Sequence, residues 1–274
     1  MLRAEPWPRD KIPDPTSPAW RDFLAQLVKE SFSALRKTNT SARWKSLTPG
    51  RISLASIPSM EPKGTRLRGA HWHSRSSIHF PEETGVSFDA FADGLLHHHT
   101  ENEQQYIHAL EQAECLEVLV PDVASIWHLK YRTPWGTANR DFVELVITLP
   151  LLAHELPFSN FHEEVMVDAL HTDSLPNGHV PHGAVGTRRS FLVISQPIAH
   201  PRTQGYVRAY YASAEGVRED SIATRADDTC VQWMLTTQTD AQGSIPQWIQ
   251  EWAMPSQIAA DVPAFFQWVH AKKA

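Results

Sequence analysis

The turns constrain this chain more than any other feature. Three strand-length segments, Cys115 to Val120, Val123 to Arg132 and Asp141 to Leu149, are separated only by Pro121-Asp122 and by a short stretch holding Pro134, Trp135 and Gly136. Proline presets its own φ, glycine accepts positive φ, and aspartate bonds to nearby backbone, so these residues build turns. Parallel neighbours need a crossover of about a dozen residues or more. The connectors here are shorter, so the spacing predicts an antiparallel sheet. Ser190 to Ile198, Gly205 to Ala214 and Thr229 to Thr239 read as three further strands.

Elements flank this set on both sides. Residues 1–18 hold five prolines and read as an extended arm. Trp20, Phe23, Leu24, Leu27, Val28 and Leu35 recur at three- and four-residue steps, which predicts a helix from Pro18 to Lys37 with Ser17 as its cap. Residues 38–64 read as loops with one short strand at most. Arg66 to Phe80 reads as a strand with His71, His73, Arg75, Ser77 and His79 on one face. Val86 to Leu110 reads as one or two helices, capped by Ser87 or Asp89. Residues 150–189 break the pattern, with a possible strand from Glu163 to Leu170. After Gly243 comes a helical pattern carrying Trp248, Trp252, Ile258, Val262, Phe265, Phe266 and Val269. Pro255 and Pro263 lie inside it and should kink or interrupt it.

Three segments stand in a telling order. They are Pro134 to Val143, Ser195 to Ala209 (SQPIAHPRTQGYVRA) and Thr239 to Trp248 (TDAQGSIPQW). Over roughly residues 70–270 this ordered set resembles the lipid-transfer START family, a helix-grip (Bet v 1-like) architecture, and within it a fungal START-like branch. The resemblance implies an α+β fold in which a curved antiparallel sheet wraps a long C-terminal helix around a hydrophobic cavity. Residues 1–64 would form an arm and helix packed on a START-like domain at 65–274, the whole being one globular unit.

The strand alternation places Trp127, Leu129 and Tyr131 on the inner face, since Lys130 and Arg132 on the other are costly to bury. Trp248, Trp252 and Phe266 would form a cavity wall from the helix, with Trp233 and Tyr210 contributed by the later strands. Two residues divide the argument. The family match puts Phe142, Glu144 and Val146 towards the ligand. Periodicity makes Val143, Leu145, Ile147 and Leu149 the apolar set and turns Glu144 outward; the periodicity is preferred here. Arg75 is a cavity candidate on a face crowded with polar groups, which favours solvent. Some family members carry a buried charge pair at positions held here by Val146 and approximately Trp127, so sterol-type recognition is not expected. Arg140, Asp141 and Arg208 read as structural.

Fifteen histidines raise the question of a metal. His97, His98 and His99 diverge by about 100° per residue on a helix and cannot converge on one ion. His71 and His73 share a strand face, and His162, His171, His179 and His182 lie in the irregular stretch. No zinc-type spacing, nucleophile elbow or phosphate loop is present, so neither metal nor cofactor is expected.

A net charge of −6 argues against nucleic acid. The lack of a long apolar window argues against membrane insertion, and Cys115 and Cys230 fit a reducing, cytoplasmic setting. The expected function is binding of a hydrophobic or amphipathic small molecule, lipid, polyketide or terpenoid-like. An alternative is a cofactor-independent cyclase or isomerase in which Glu144, Tyr131 and His73 act on the guest. A second alternative is a membrane-peripheral interaction module using aromatics near Trp135 or Trp252. Oligomeric state stays open.

Overall fold

The structure, a computed structural model, describes residues 2–41, 45–47, 52–59, 67, 70–133, 137–151, 189–221 and 229–273. The possible strand at Glu163 to Leu170, the turn at residues 134–136 and the histidines at 162, 171, 179 and 182 lie outside them.

The described strands are β1 (Lys45–Leu47), β2 (Ile52–Pro58), β3 (His71–His79), β4 (Leu110–Val120), β5 (Ala124–Tyr131), β6 (Arg140–Leu151), β7 (Ser190–Pro197), β8 (Val207–Arg208), β9 (Tyr210–Ser221) and β10 (Thr229–Asp240). They form one sheet in the order β1-β2-β3-β10-β9-β7-β6-β5-β4, antiparallel throughout except for the two-residue β8, which pairs parallel with the start of β6. The turn at Pro121-Asp122 makes the β4–β5 hairpin: Asp122 takes a left-handed φ of 59°, and the Val123 N–H donates to the Val120 carbonyl. Residues 52–58, expected as loop or short strand, pair with β3 and extend the sheet beyond it.

Both faces of the sheet are covered, and this decides where each alternating set goes. On the outer face Val143, Leu145, Ile147 and Leu149 pack with Ile126, Leu192, Ile194 and Met234 against α1 (Ala19–Ser41). Trp20, Leu24, Leu27, Val28 and Leu35 form the apolar stripe of α1, as their spacing predicts. The cap differs, because the Ser17 hydroxyl donates to the Asp14 carbonyl instead. The N-terminal arm is stitched to the same face. The Ala4 N–H donates to Gln238 Oε1 at 3.0 Å, and Trp7 exchanges backbone hydrogen bonds with Pro197 and Ala199.

On the inner face Trp127, Leu129, Val146, Phe191, Val193, Val217 and Trp233 meet a cover of helices. These are α2 (Pro81–Thr84), α3 (Phe88–Phe91), a π-helical turn (Ala92–Leu96), α4 (His99–Tyr106) and α5 (Gln247–Lys273). Ser87 caps α3, its Oγ accepting from the Ala90 N–H at 3.3 Å. The one or two helices expected from Val86 to Leu110 are thus three helical pieces, and Leu110 already belongs to β4. α5 runs unbroken through Pro255 and Pro263, so neither proline interrupts it. Its last turn carries His270, Lys272 and Lys273, which complement the helix dipole. The result is the helix-grip arrangement: a curved, mostly antiparallel sheet held against a long C-terminal helix.

The π-helical turn touches α5 at Gly94. A Cβ there would stand 2.5 Å from Phe265 Cε2 and 3.0 Å from Trp268 Cζ3. Gly94→Ala is therefore expected to cost about 1–3 kcal/mol, because the helix must move to make room. Thermal unfolding checks this; an unchanged melting temperature would show that α5 is not held so closely.

Candidate functional site

The inner face collects polar groups that the sequence leaves scattered. β3 contributes Arg75, which is fully buried. Its Nη2 donates to Glu215 Oε1 on β9 at 3.3 Å, the Trp233 indole Nε1 donates to the same oxygen at 2.6 Å, and the guanidinium carbon lies 3.9 Å from the Trp233 ring centroid. Burial penalises the Arg75 charge, and Glu215 and Asp261 oppose that penalty. Arg75 Nε and Nη1 have no partner. The solvent-facing reading of Arg75 is thus corrected: strands with polar side chains on one face normally turn it to water, but here that face is the interior.

Glu144 on β6 is also fully buried, and neither of its oxygens makes a hydrogen bond. Burial lifts its carboxyl well above the usual range, outweighing the pull of the nearby Tyr211 backbone N–H, which lies outside hydrogen-bond geometry, and of the Arg208 charge. This corrects the periodicity reading. Val143, Leu145, Ile147 and Leu149 are indeed one apolar face, but they face α1, not α5. Phe142, Glu144 and Val146 point inward, on the face with Trp127, Leu129 and Tyr131.

Four half-buried groups, Glu103 of α4, Tyr131, Tyr211 and Asp261 of α5, border the hollow between the sheet and its helical cover. Burial pushes Asp261 up to about 7, Arg75 opposing and Glu215 and Glu103 reinforcing it. Burial likewise raises Glu103, with His99 opposing. Tyr106, Tyr131 and Tyr211 are all raised well above the usual phenol value, by burial first and by the surrounding carboxylates second. Tyr131 feels the charges of Glu103, Asp261 and Glu144.

One cavity adjoins this interior, and a second lies at the start of α5. The first, of about 400 Å³, lies beneath the start of α4 and is walled by Leu96, Val120, Val123, Trp127 and Val146. The other, about 280 Å³, sits at the start of α5 between Ala70, Thr239, Gln242, Gly243 and Ile245. Glu251, in the first third of α5, is clasped to β3: His73 Nε2 donates to it at 2.7 Å while Ser56 donates to His73 Nδ1 at 2.8 Å. His71 Nδ1 lies 3.0 Å from the same carboxylate. These two histidines therefore hold the helix down rather than chelate. Among the described residues no group of three or more His, Cys, Asp or Glu is arranged to hold a metal.

The remaining candidates fall on both sides of the wall. Phe266 packs on His79 and Phe91, 4.6 Å and 5.8 Å between centroids. Trp248 and Trp252 are 71% and 80% exposed and line nothing, because they project from the solvent side of α5. Tyr210 packs with Ala4, Leu67 and Ala70 on the outer side. Its neighbour Tyr211 takes the inward place, stacking edge-on with Phe142 at 5.4 Å. The sequence reading missed Tyr211, Tyr106, Glu103, Glu215 and Asp261. Cross-strand register would have found Glu215 once Arg75 was turned inward, since both pair with Leu235.

Asp141 and Arg140 lock the frame. Arg208 Nη2, Thr203 Oγ1 and His128 Nε2 all reach Asp141 Oδ2, at 2.7, 2.5 and 2.9 Å. Burial alone would raise Asp141, but these bonds hold it below the usual range. Arg140 donates to the carbonyls of Ala138, Ala241 and Gln242, pinning the chain that leads into α5.

Similar proteins share this frame. Human StAR-related lipid transfer protein 5 superposes with a TM-score of 0.61 at 13% identity, covering 93% of this chain and 99% of that one. Human STARD10 gives 0.52 at 16% identity, covering 88% and 77%. Human StarD13, in its lipid transfer and protein localization domain, gives 0.51 at 15% identity, covering 90% and 96%. At such identities the likeness is one of fold. An uncharacterised protein of Schizosaccharomyces pombe is 30% identical over 141 residues, about half the length of either chain (52% each). No helix among the described residues is long and apolar enough to cross a membrane. The strands and helix that enclose the interior, from Trp72 on β3 to Val269 on α5, are the part matched by a family profile: through residues 72–269 the chain belongs to the family described as Protein of unknown function (DUF3074).

Proposed function

We propose that the protein encloses one hydrophobic or amphipathic small molecule, a lipid, polyketide or terpenoid-like compound, between the sheet and α5. The observation that carries this reading is the cavity of about 400 Å³ walled by Leu96, Val120, Val123, Trp127 and Val146, on the same face of the sheet as Tyr131, Phe142 and Glu144. Removing an apolar chain from water contributes roughly 25 cal/mol per Å² buried, so a greasy guest gains without any special contact. The lipid-transfer names of the superposed structures support the same chemistry. Cys115 and Cys230 are in no disulfide, which fits a reducing, cytoplasmic setting. Admission of the guest requires α5 to lift, and the clasp of His71 and His73 on Glu251 is the contact that must open. The exposed Trp248 and Trp252, one turn apart beside that clasp, supply an apolar foothold where a guest leaves a lipid surface.

Native mass spectrometry of the purified protein tests this. A co-purifying mass of a few hundred daltons, released by organic solvent, is expected, together with displacement of an apolar fluorophore. A bare protein mass with no fluorophore binding would overturn the reading.

A second reading is favoured by Glu144, Asp261 and Tyr131. Carboxyls driven towards neutrality by burial can donate or accept protons near neutral pH, the requirement of a cofactor-independent isomerase or cyclase. His73 is engaged by Glu251 and Ser56, and this reading does not call on it. In this case Glu144→Gln stops turnover of the co-purified compound while retaining its binding; equal turnover would remove Glu144 from the chemistry.

A further inference from the structure

We propose that the guest is a cationic amphiphile, an apolar chain ending in a protonated or quaternary amine. The proposal rests on the reading that the interior takes a guest, and it names the chemistry that interior selects. Carboxyl groups from four elements lie on the side of the sheet that the helices cover: Glu103 of α4, Glu144 of β6, Glu215 of β9 and Asp261 of α5. Arg75 is already engaged by Glu215 and the face of Trp233, and Arg208, whose charge also reaches Glu144, is committed to Asp141. His99 stands 3.4 Å from Glu103 and answers that group alone. The interior is thus short of positive charge, and a buried carboxylate without a partner is expensive.

Glu144 adds a separate argument. It is wholly buried, and neither oxygen meets a donor at hydrogen-bond geometry. Beside it three rings form a continuous edge-to-face row, Tyr131 to Phe142 at 5.3 Å and Phe142 to Tyr211 at 5.4 Å. Tyr131 and Tyr211 both feel the Glu144 charge. Aromatic faces around a carboxylate are the environment that holds an ammonium group: the ring quadrupoles attract the cation and the carboxylate neutralises it. A carboxylate or phosphate guest would instead gain nothing from these acids and would oppose their ionisation. The unpartnered Nε and Nη1 of Arg75 offer donors to an oxygen set next to the amine, as in an amino alcohol.

Isothermal titration of the delipidated full chain near neutral pH tests the proposal with three probes of equal chain length, used below their micelle concentrations: dodecylammonium, dodecanol and dodecanoate. Dodecylammonium is expected to bind at least about tenfold more tightly than dodecanol, and dodecanoate most weakly. Repeating the titration in buffers of different ionisation enthalpy should show proton release on dodecylammonium binding only. Glu144 and Asp261, both held towards the neutral form by burial, are the groups to lose the proton; Arg208 and Tyr211 act on the first, and Arg75, Glu103 and Glu215 on the second. The dodecylammonium-to-dodecanol affinity ratio should fall towards one in Glu144→Gln, and fall in Asp261→Asn, a variant expected to fold at least as well as the parent. Equal binding of all three probes, tighter dodecanoate, or a ratio unmoved in both variants would overturn the charge argument while leaving the hollow intact. Failure of all three to bind would overturn both.

Discussion

Arg75→Ala is expected to cost about 3–5 kcal/mol of folding stability, because it strands a carboxylate in the interior. Arg75 is fully buried, and Glu215 is nearly so. Removing the guanidinium also strips the face of Trp233, which the cation now covers at 3.9 Å. The companion experiment separates charge from volume. In Arg75→Met with Glu215→Gln the pair is replaced by a neutral side chain of similar length and an amide whose oxygen still accepts from the Trp233 indole. Most of the lost stability should return in this double variant. Urea unfolding with an unchanged slope measures both. A single variant as stable as the parent would mean that water reaches Glu215 and that the interior is far wetter than its burial indicates.

The second large effect has the opposite sign. Asp261→Asn should stabilise the ligand-free protein above neutral pH. The carboxyl titrates at about 7 in the folded chain against 3.8 as its ordinary value, so between these values the folded state holds a proton that the unfolded state has lost. Stability contributed by that proton is therefore complete at acid pH and falls as pH rises towards neutrality. A tenfold difference in proton affinity between the folded and unfolded chain is worth about 1.4 kcal/mol, which makes the gain on the order of a few kcal/mol near pH 8 and close to nothing near pH 3. Glu103 and Glu144, also raised, act in the same direction. Asp141 acts in the other: its lowered carboxyl supports the fold above the ordinary aspartate range and fails only at lower pH. Melting curves of parent and variant across this span check the expectation. Parallel curves would show Asp261 to be freely solvated.

Much of the architecture was legible in turn chemistry and alternation. Pro121-Asp122 fixed a hairpin, and the ordered motifs matched a fold that superposes on lipid-transfer structures. The phase of each strand was less legible, for a physical reason. Alternation divides a strand into two sets but does not say which set faces which partner. In a sheet covered on one side the apolar set marks the core. Here α1 and the N-terminal arm cover the second side, so the apolar set of β6 belongs to that outer core and the set containing Glu144 belongs to the hollow. The same double coverage misled the reading of Arg75, whose polar neighbours His73, Ser77 and His79 all sit inside. Tyr210 and Tyr211 show a one-residue phase error, since the chain breaks between Val207–Arg208 and the strand beginning at Tyr210. Asp261 and Glu103 carried no signal, because a single acid on a helix is ordinarily solvated.

The stitched outer layer has a mechanical corollary. With α1 packed across β6, β7, β9 and β10, and with Ala4 and Trp7 bonded to the sheet's far side, the strands cannot flatten or spread when a guest arrives. All compliance must reside in the opposite layer, where the clasp on Glu251 and the glycine contact at Phe265 are the few joints to be remade. Loading should thus leave amide exchange in the strands almost untouched and slow it in α4 and α5, so the sheet serves as anvil and the helices as spring.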